Sequence, residues 1–498
     1  MKNILNTIKV LAVILLLVSC SDDYLDVNTD PNNPLTVTPD LMLPVALNYS
    51  AFDQERNRGQ NTLGNMLMYN WSQSDGFSWY TNEFQYLVTT SFYQQNFNTV
   101  YGNTLKQYQS LADVEGEKYG FYHAIAMIMK AYTFQILVDQ YGDVPYSEAL
   151  LRGGNATPVY DDAQTIYDDL IVQLTNAIAL IDATEANSEI SPEYPDNVDG
   201  VFDGWMDDWK RFANSVKLRI LVRQSDMSGR AAYIQTELGA IAAEGSGFVT
   251  DDVLVNIGYA QITNQQNPKW NAYGQDVSGE NTLNNDATCA TPFVLDLLTD
   301  TNDGRLDYIY EKPATGHLGV IQGLLNYDET PLGVDGLVPD KVSNIGPGIL
   351  KGPDQGAVLM TLAEVKFNQA EAVLKGLMSG DAEALYNAGV QASFSYLGAG
   401  SASAYLAQTL QNVKYSVSNN KLEAIITQKW IAVNGIDAIQ SWFDYNRTGY
   451  PSNLPISVLA PHADRPVRLF YPSSEITSNG LNVPTQPDAF SAKIFWAN

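Results

Sequence analysis

Residues 71–86 gather Trp71, Phe77, Trp79, Tyr80, Phe84 and Tyr86 among the polar spacers Ser72, Gln73, Asp75, Asn82 and Glu83. Aromatic faces stack on the C–H surfaces of neutral sugars, and amides and carboxylates fix the hydroxyls, so this composition suits carbohydrate recognition. The spacing follows neither a period of 3.6 nor one of 2, so the segment reads as a loop, where rings are most open to a ligand. Trp79 and Tyr80 are the stacking candidates, with Asp75 and Asn82 beside them, while Trp71 and Phe84 read as core. A second candidate platform is Trp270, Asn271 and Tyr273, preceded by the amides Asn264, Gln265 and Gln266. The competing use of all these rings is to pack loop onto scaffold.

Catalysis finds less support. Glycoside hydrolysis needs two carboxylates about 5–10 Å apart, and no short motif isolates a pair among the 56 acidic residues. The Gly-x-Ser-x-Gly, His-Glu-x-x-His and P-loop patterns are absent. The segment Asp300 to Gly304 resembles a calcium loop but is one residue too short for alternating ligands, and reads as a solvated turn. His123, His317 and His462 are scattered, and the two cysteines are Cys20 and Cys289. Neither a metal site nor a cofactor is expected, and the chain reads as a binding protein, not an enzyme.

Cys20 carries chemistry of a different kind. Lys2 and Lys9 precede the apolar run Val10 to Val18, and Leu17-Val18-Ser19-Cys20 follows the pattern read by bacterial lipoprotein signal peptidase. Residues 1–19 are therefore read as a signal peptide, Cys20 as lipidated, and residues 20–40 as a linker. Acyl chains contribute about 0.8 kcal/mol per buried methylene, enough for a lasting anchor. The acidic Ser21-Asp22-Asp23 that follows resembles an export tag for the outer face of the outer membrane. No later segment reads as a transmembrane helix. A formal charge of −28 repels nucleic acid and favours a neutral ligand.

The elements that must position these residues are mostly helical. Apolar residues recur every four positions from Ile166 to Ile178, and comparable faces run from Thr361 to Leu377 and from Leu422 to Val433. Phe121 to Val138 is apolar almost all round, and Gly142, Gly376 and Gly435 mark helix ends. Loop-rich stretches occupy roughly 183–204, 250–290 and 312–356. Paired helices with such insertions suggest a tetratricopeptide-like helical solenoid.

Specific strings then accumulate in order: Val138 to Ala149, with Tyr141-Gly142-Asp143 and Pro145; Thr157 to Leu170; Trp209 to Arg223; Ala363 to Ala372; Gln428-Lys429-Trp430; Trp442 to Pro451; and Arg465 to Pro472. Together they resemble the SusD/RagB family of surface lipoproteins, in its starch-binding-associated, SusD-like branch. One departure is Asp303-Gly304-Arg305, where many relatives carry proline between acid and arginine.

The resemblance implies about four tetratricopeptide-like helix pairs in a single domain, residues 41–498. It implies a lipid-anchored lid on a TonB-dependent, SusC-like outer-membrane transporter, facing the cell exterior and capturing an oligomer, usually a glycan. Trp79 with Tyr80 resembles the family's sugar-stacking loop. Peptide capture and a mainly structural lid are the alternatives. The residues themselves read mostly as structural: Gly142 and Pro145 as a helix stop, and Arg219 and Arg223 as partners of buried acids, with Glu364 and Glu371 as candidates.

Overall fold

A computed structural model describes residues 37–324 and 336–497. The signal peptide, the lipidation expected at Cys20 and most of the linker lie outside the described residues. The scaffold is mostly helical, at 49% of the chain. Its principal helices are α1 (Pro39–Glu55), α2 (Gln60–Leu67), α3 (Lys106–Ala112), α4 (Gly120–Tyr141), α5 (Ala163–Ala186) and α6 (Met206–Arg223). They continue as α7 (Ala231–Glu244), α8 (Pro268–Tyr273), α9 (Leu362–Leu374), α10 (Ala382–Leu397), α11 (Lys421–Val433) and α12 (Ile439–Thr448). Neighbours stack as a tetratricopeptide-like array: α3 on α4, α4 on α5, α5 on α6, α6 on α9, and α9 on α10 and α11.

Local chemistry sets the helix boundaries. Asp162 caps α5 by accepting from the Thr165 amide at 2.8 Å, and the predicted stripe Ile166, Leu170, Leu174 and Ile178 is its buried face. Thr361 and Asn420 cap α9 and α11 in the same way. α4 ends at Gly142, whose φ of 77° suits glycine, and Pro145 follows in a short strand.

Contrary to the sequence reading, one later helix among the described residues, Glu117–Tyr141, is long and apolar enough to cross a membrane by composition. Most of its apolar stretch is buried within the fold, so it is a core helix packed on several sides.

Buried ion pairs tie the array together. Arg219 meets Glu364 at 3.6 Å, as expected, but Arg223 pairs with Asp444 at 2.9 Å and Asp139 at 3.5 Å. Glu371 belongs instead to Arg447, whose Nη2 lies 2.8 Å from it. Burial opposes the ionisation of Glu371, but Arg447 and Lys375 overcome it and hold the carboxyl at about 2. Asp303 is likewise occupied by Arg305 at 2.6 Å, so the calcium-like segment is a structural turn.

Among the described residues three two-stranded antiparallel ladders supplement the helices: β1 (Trp71–Gln73) with β5 (Thr288–Ala290), β2 (Val144–Pro145) with β3 (Tyr160–Asp161), and β4 (Val253–Val255) with β6 (Ala357–Met360). The 250–290 stretch, read as loop, thus contains β4, α8, β5 and a short helix, Leu283–Ala287. Asn267 and Thr282 supply the caps that make the two helices possible. The N-terminal helices are fitted to the C-terminal ones. A Cβ on Gly64 would stand 2.2 Å from the Ala438 carbonyl carbon, so only glycine permits this contact of α2 with the start of α12. Asn61 and Asn65 close it with hydrogen bonds of 2.9 Å to and from Gly435. The main buried cluster draws on residues from Leu43 to Trp496.

Candidate functional site

The β1–β5 ladder brings the two aromatic segments together. Trp71 faces Ala290 and Gln73 faces Thr288, and beyond them the Ser74 amide donates to Ala287 O at 3.0 Å. Gln73 then shapes the first loop. Its Oε1 accepts from the Trp79 amide at 2.6 Å and the Tyr80 amide at 3.3 Å, while its Nε2 donates to Phe77 O. Arg58 donates to Trp79 O at 2.7 Å from the other side. Trp79 is left half-buried, with its ring edge-on to Phe77 at 5.1 Å.

Two of the predicted stacking residues are not at the surface. Tyr80 and Tyr273 are each 1% exposed. Tyr80 Oη shares a 2.8 Å hydrogen bond with Thr288 Oγ1, and Tyr273 Oη one of 2.6 Å with Thr62 Oγ1. Trp71, core as expected, lies 5.2 Å from the Tyr273 ring. Burial pushes the Tyr273 hydroxyl up to about 12 and Tyr80 well above its ordinary value. These tyrosines join the two segments from below, and their ring faces are spent on packing. The correction has a clear cause: each tyrosine carries a hydroxyl that finds a threonine partner more than one hundred residues away, which periodicity cannot reveal.

Trp270 is half-buried. Asn267 caps α8 and accepts from the Trp270 amide at 3.0 Å. Asn267 and Lys269 are both held by buried Glu55, each at 3.1 Å. The indole lies flat on the chain at Gly274, where a Cβ would come 2.5 Å from Trp270 Cδ2. Beside it opens a cavity of about 310 Å³ lined by Trp270, Gln275, Asn281, Asn285, Glu311 and Ile345. Trp270 Nε1 is buried without an acceptor among the described residues. One aromatic wall, three amides, one carboxylate and no basic side chain make a set of donors and acceptors suited to hydroxyls and poorly suited to anions.

Asn271 and Asn82 are exposed but lie outside this cavity, and Asp75 turns its carboxylate back onto the Gly76 amide at 2.7 Å. Sequence reasoning missed Gln275, Asn281, Asn285 and Glu311. The three amides sit within the 250–290 stretch read as loop-rich, whereas nothing in the sequence joins Glu311 to them. Among the described residues no cluster of His, Cys, Asp or Glu is arranged to hold a metal ion.

A family model described as SusD-like, starch-binding and associating with the outer membrane, matches residues 31–472. No curated protein matches the chain. Solved structures do. A SusD homolog from Bacteroides uniformis is 23% identical, with 93% of this chain covering 100% of that one at a TM-score of 0.73. A SusD homolog from Bacteroides thetaiotaomicron is 22% identical, with 93% and 99% covered and a TM-score of 0.73. A chitin-binding SusD homolog from Flavobacterium johnsoniae is 22% identical, with 92% and 98% covered and a TM-score of 0.72. At these identities the likeness establishes the fold.

Proposed function

The chain belongs to the SusD-like family, described as starch-binding and associating with the outer membrane, and we propose that it captures a glycan through Trp79 and Trp270. The observation that carries this reading is the amide-lined cavity beside half-exposed Trp270, on a segment tied to the Trp79 loop by β1–β5 pairing. The lining holds no cation, and the whole chain is strongly acidic, so a neutral glycan is the favoured ligand. The chitin-binding relative supports the same ligand class.

The captured glycan is passed to a TonB-dependent, SusC-like transporter, with Cys20 anchoring the protein to the outer face of the outer membrane. Residues 41–498 act as one domain, a reading supported by a buried cluster that spans nearly its whole length. No catalytic step is proposed.

Isothermal titration of the chain begun after Cys20, against plant and host oligosaccharides and mixed peptides, tests this. A neutral oligosaccharide should bind, and Trp270→Ala or Trp79→Ala should weaken it about tenfold or more with the fold intact. Binding of peptides alone would replace glycan capture by peptide capture. No binding of either would reduce the protein to a structural lid.

A further inference from the structure

A second cavity, of about 610 Å³, lies between the C-terminal end of α12 and the segments around residues 454–467 and 490–493. Its charge runs against that of the molecule. The chain has 28 basic and 56 acidic residues, yet this lining contains Arg447, Arg465 and Lys493 with a single carboxylate, Asp464.

Arg465 is 4% exposed, and among the described residues no carboxylate forms an ion pair with it. Its Nε donates to Leu67 O at 2.7 Å, and its Nη2 donates to the carbonyls of Leu454 and Pro455. Its Nη1 makes only a 3.4 Å contact with Tyr445 Oη. A guanidinium has five N–H groups, so among the described residues one on Nη1 has no acceptor. The hydrogen bonds to carbonyls satisfy geometry but leave the buried positive charge without a counter-charge.

Arg447 is neutralised on its far side by Glu371, Asp444 and Asp226, but among the described residues its buried Nε has no acceptor. Lys493 is exposed, and among the described residues no carboxylate pairs with it. The C-terminal dipole of α12 opposes an anion with about half a charge, less than the cations supply.

We infer that this cavity is a binding site for a small oxyanion, a carboxylate or a sulfate, coordinated by Lys493 and Arg465. The anion is either free in solution or a substituent of an acidic glycan. The site is separate from the Trp270 cavity, and the inference stands whether or not neutral glycans bind there.

The test is calorimetric titration with sodium sulfate at low salt, using wild type, Lys493→Gln and Asp464→Asn. Both substitutions are at exposed positions, so melting curves should be unchanged. Sulfate should bind wild type, about fivefold more weakly in K493Q and about fivefold more tightly in D464N, with affinity falling as sodium chloride rises. A sulfated oligosaccharide and its unsulfated counterpart then separate the two sources. A sulfate-dependent gain that disappears in K493Q assigns the site to a glycan substituent, and an equal affinity for both, with free sulfate still bound, assigns it to a free anion. No sulfate binding to wild type, or binding that neither substitution moves, overturns the inference.

Discussion

Gly274→Ala is the most direct probe of how the Trp270 cavity is built. The added methyl would lie 2.5 Å from Trp270 Cδ2 and 2.8 Å from both Cε3 and the Trp270 carbonyl oxygen. Carbon atoms pack at about 3.5–4.0 Å, so the indole must withdraw by about 1 Å or the turn after α8 must open. Overpacking of this kind destabilises by about 1–3 kcal/mol. Asn267 and Lys269 still anchor the start of α8 on Glu55, so the fold should survive with the ring displaced. A misplaced ring loses stacking of about 1 kcal/mol, and an oligosaccharide seated on it should bind about fivefold more weakly. The assay pairs calorimetry with tryptophan fluorescence and a thermal melt. A variant that melts and binds like wild type, with an unchanged emission spectrum, would refute the claim that Gly274 sets the indole.

Two further outcomes concern the charged interior. Glu371→Gln leaves Arg447 without its main counter-charge and should destabilise by about 3 kcal/mol in urea at pH 7. Because the folded carboxyl sits at about 2, below its ordinary 4.5, its stabilisation is present above 4.5 and is lost as pH falls toward 2. The gap between variant and wild type should therefore close across that window. Asp53 has the opposite sign: burial raises it from 3.8 to about 7 despite the Thr104 hydroxyl and Arg56. Stability from this group is full below 3.8 and lost as pH rises through 7, so Asp53→Asn should gain about 1–3 kcal/mol at pH 8 and nothing at pH 3. Urea titrations at the two pH values check it, and an equal effect at both would contradict the assignment.

The long helices were legible because their signal is local. Ile166, Leu170, Leu174 and Ile178 announce one face of α5, and Gly142 the end of α4. Arg219 and Glu364 could be paired because each sits on a recognisable helix. The failures share a different cause. Tyr80 and Tyr273 pass as stacking candidates in the sequence because the strands beside them are three residues long and pair across the sequence, with Gln73 opposite Thr288. Arg223 chose Asp444 over Glu371 for the same reason: among many carboxylates, only the packing of α6, α9 and α12 decides which is nearest. Glu311 shares a cavity with Trp270 through the chain's long-range topology, and no spacing rule connects them.

The fitting of α2 against the start of α12 also bears on how the chain reaches its native state. Asn61 and Asn65 find their partners in Gly435 and Ala438, more than 350 residues later. The polar side chains of α2 are therefore satisfied only when residues far along the chain arrive. Contacts of such high sequence separation slow folding and leave early segments without a finished core. This topology also makes the molecule intolerant of shortening at the C-terminal side: removing α12 would strip α2 of its partner and loosen the segment that leads into Trp71 and Trp79.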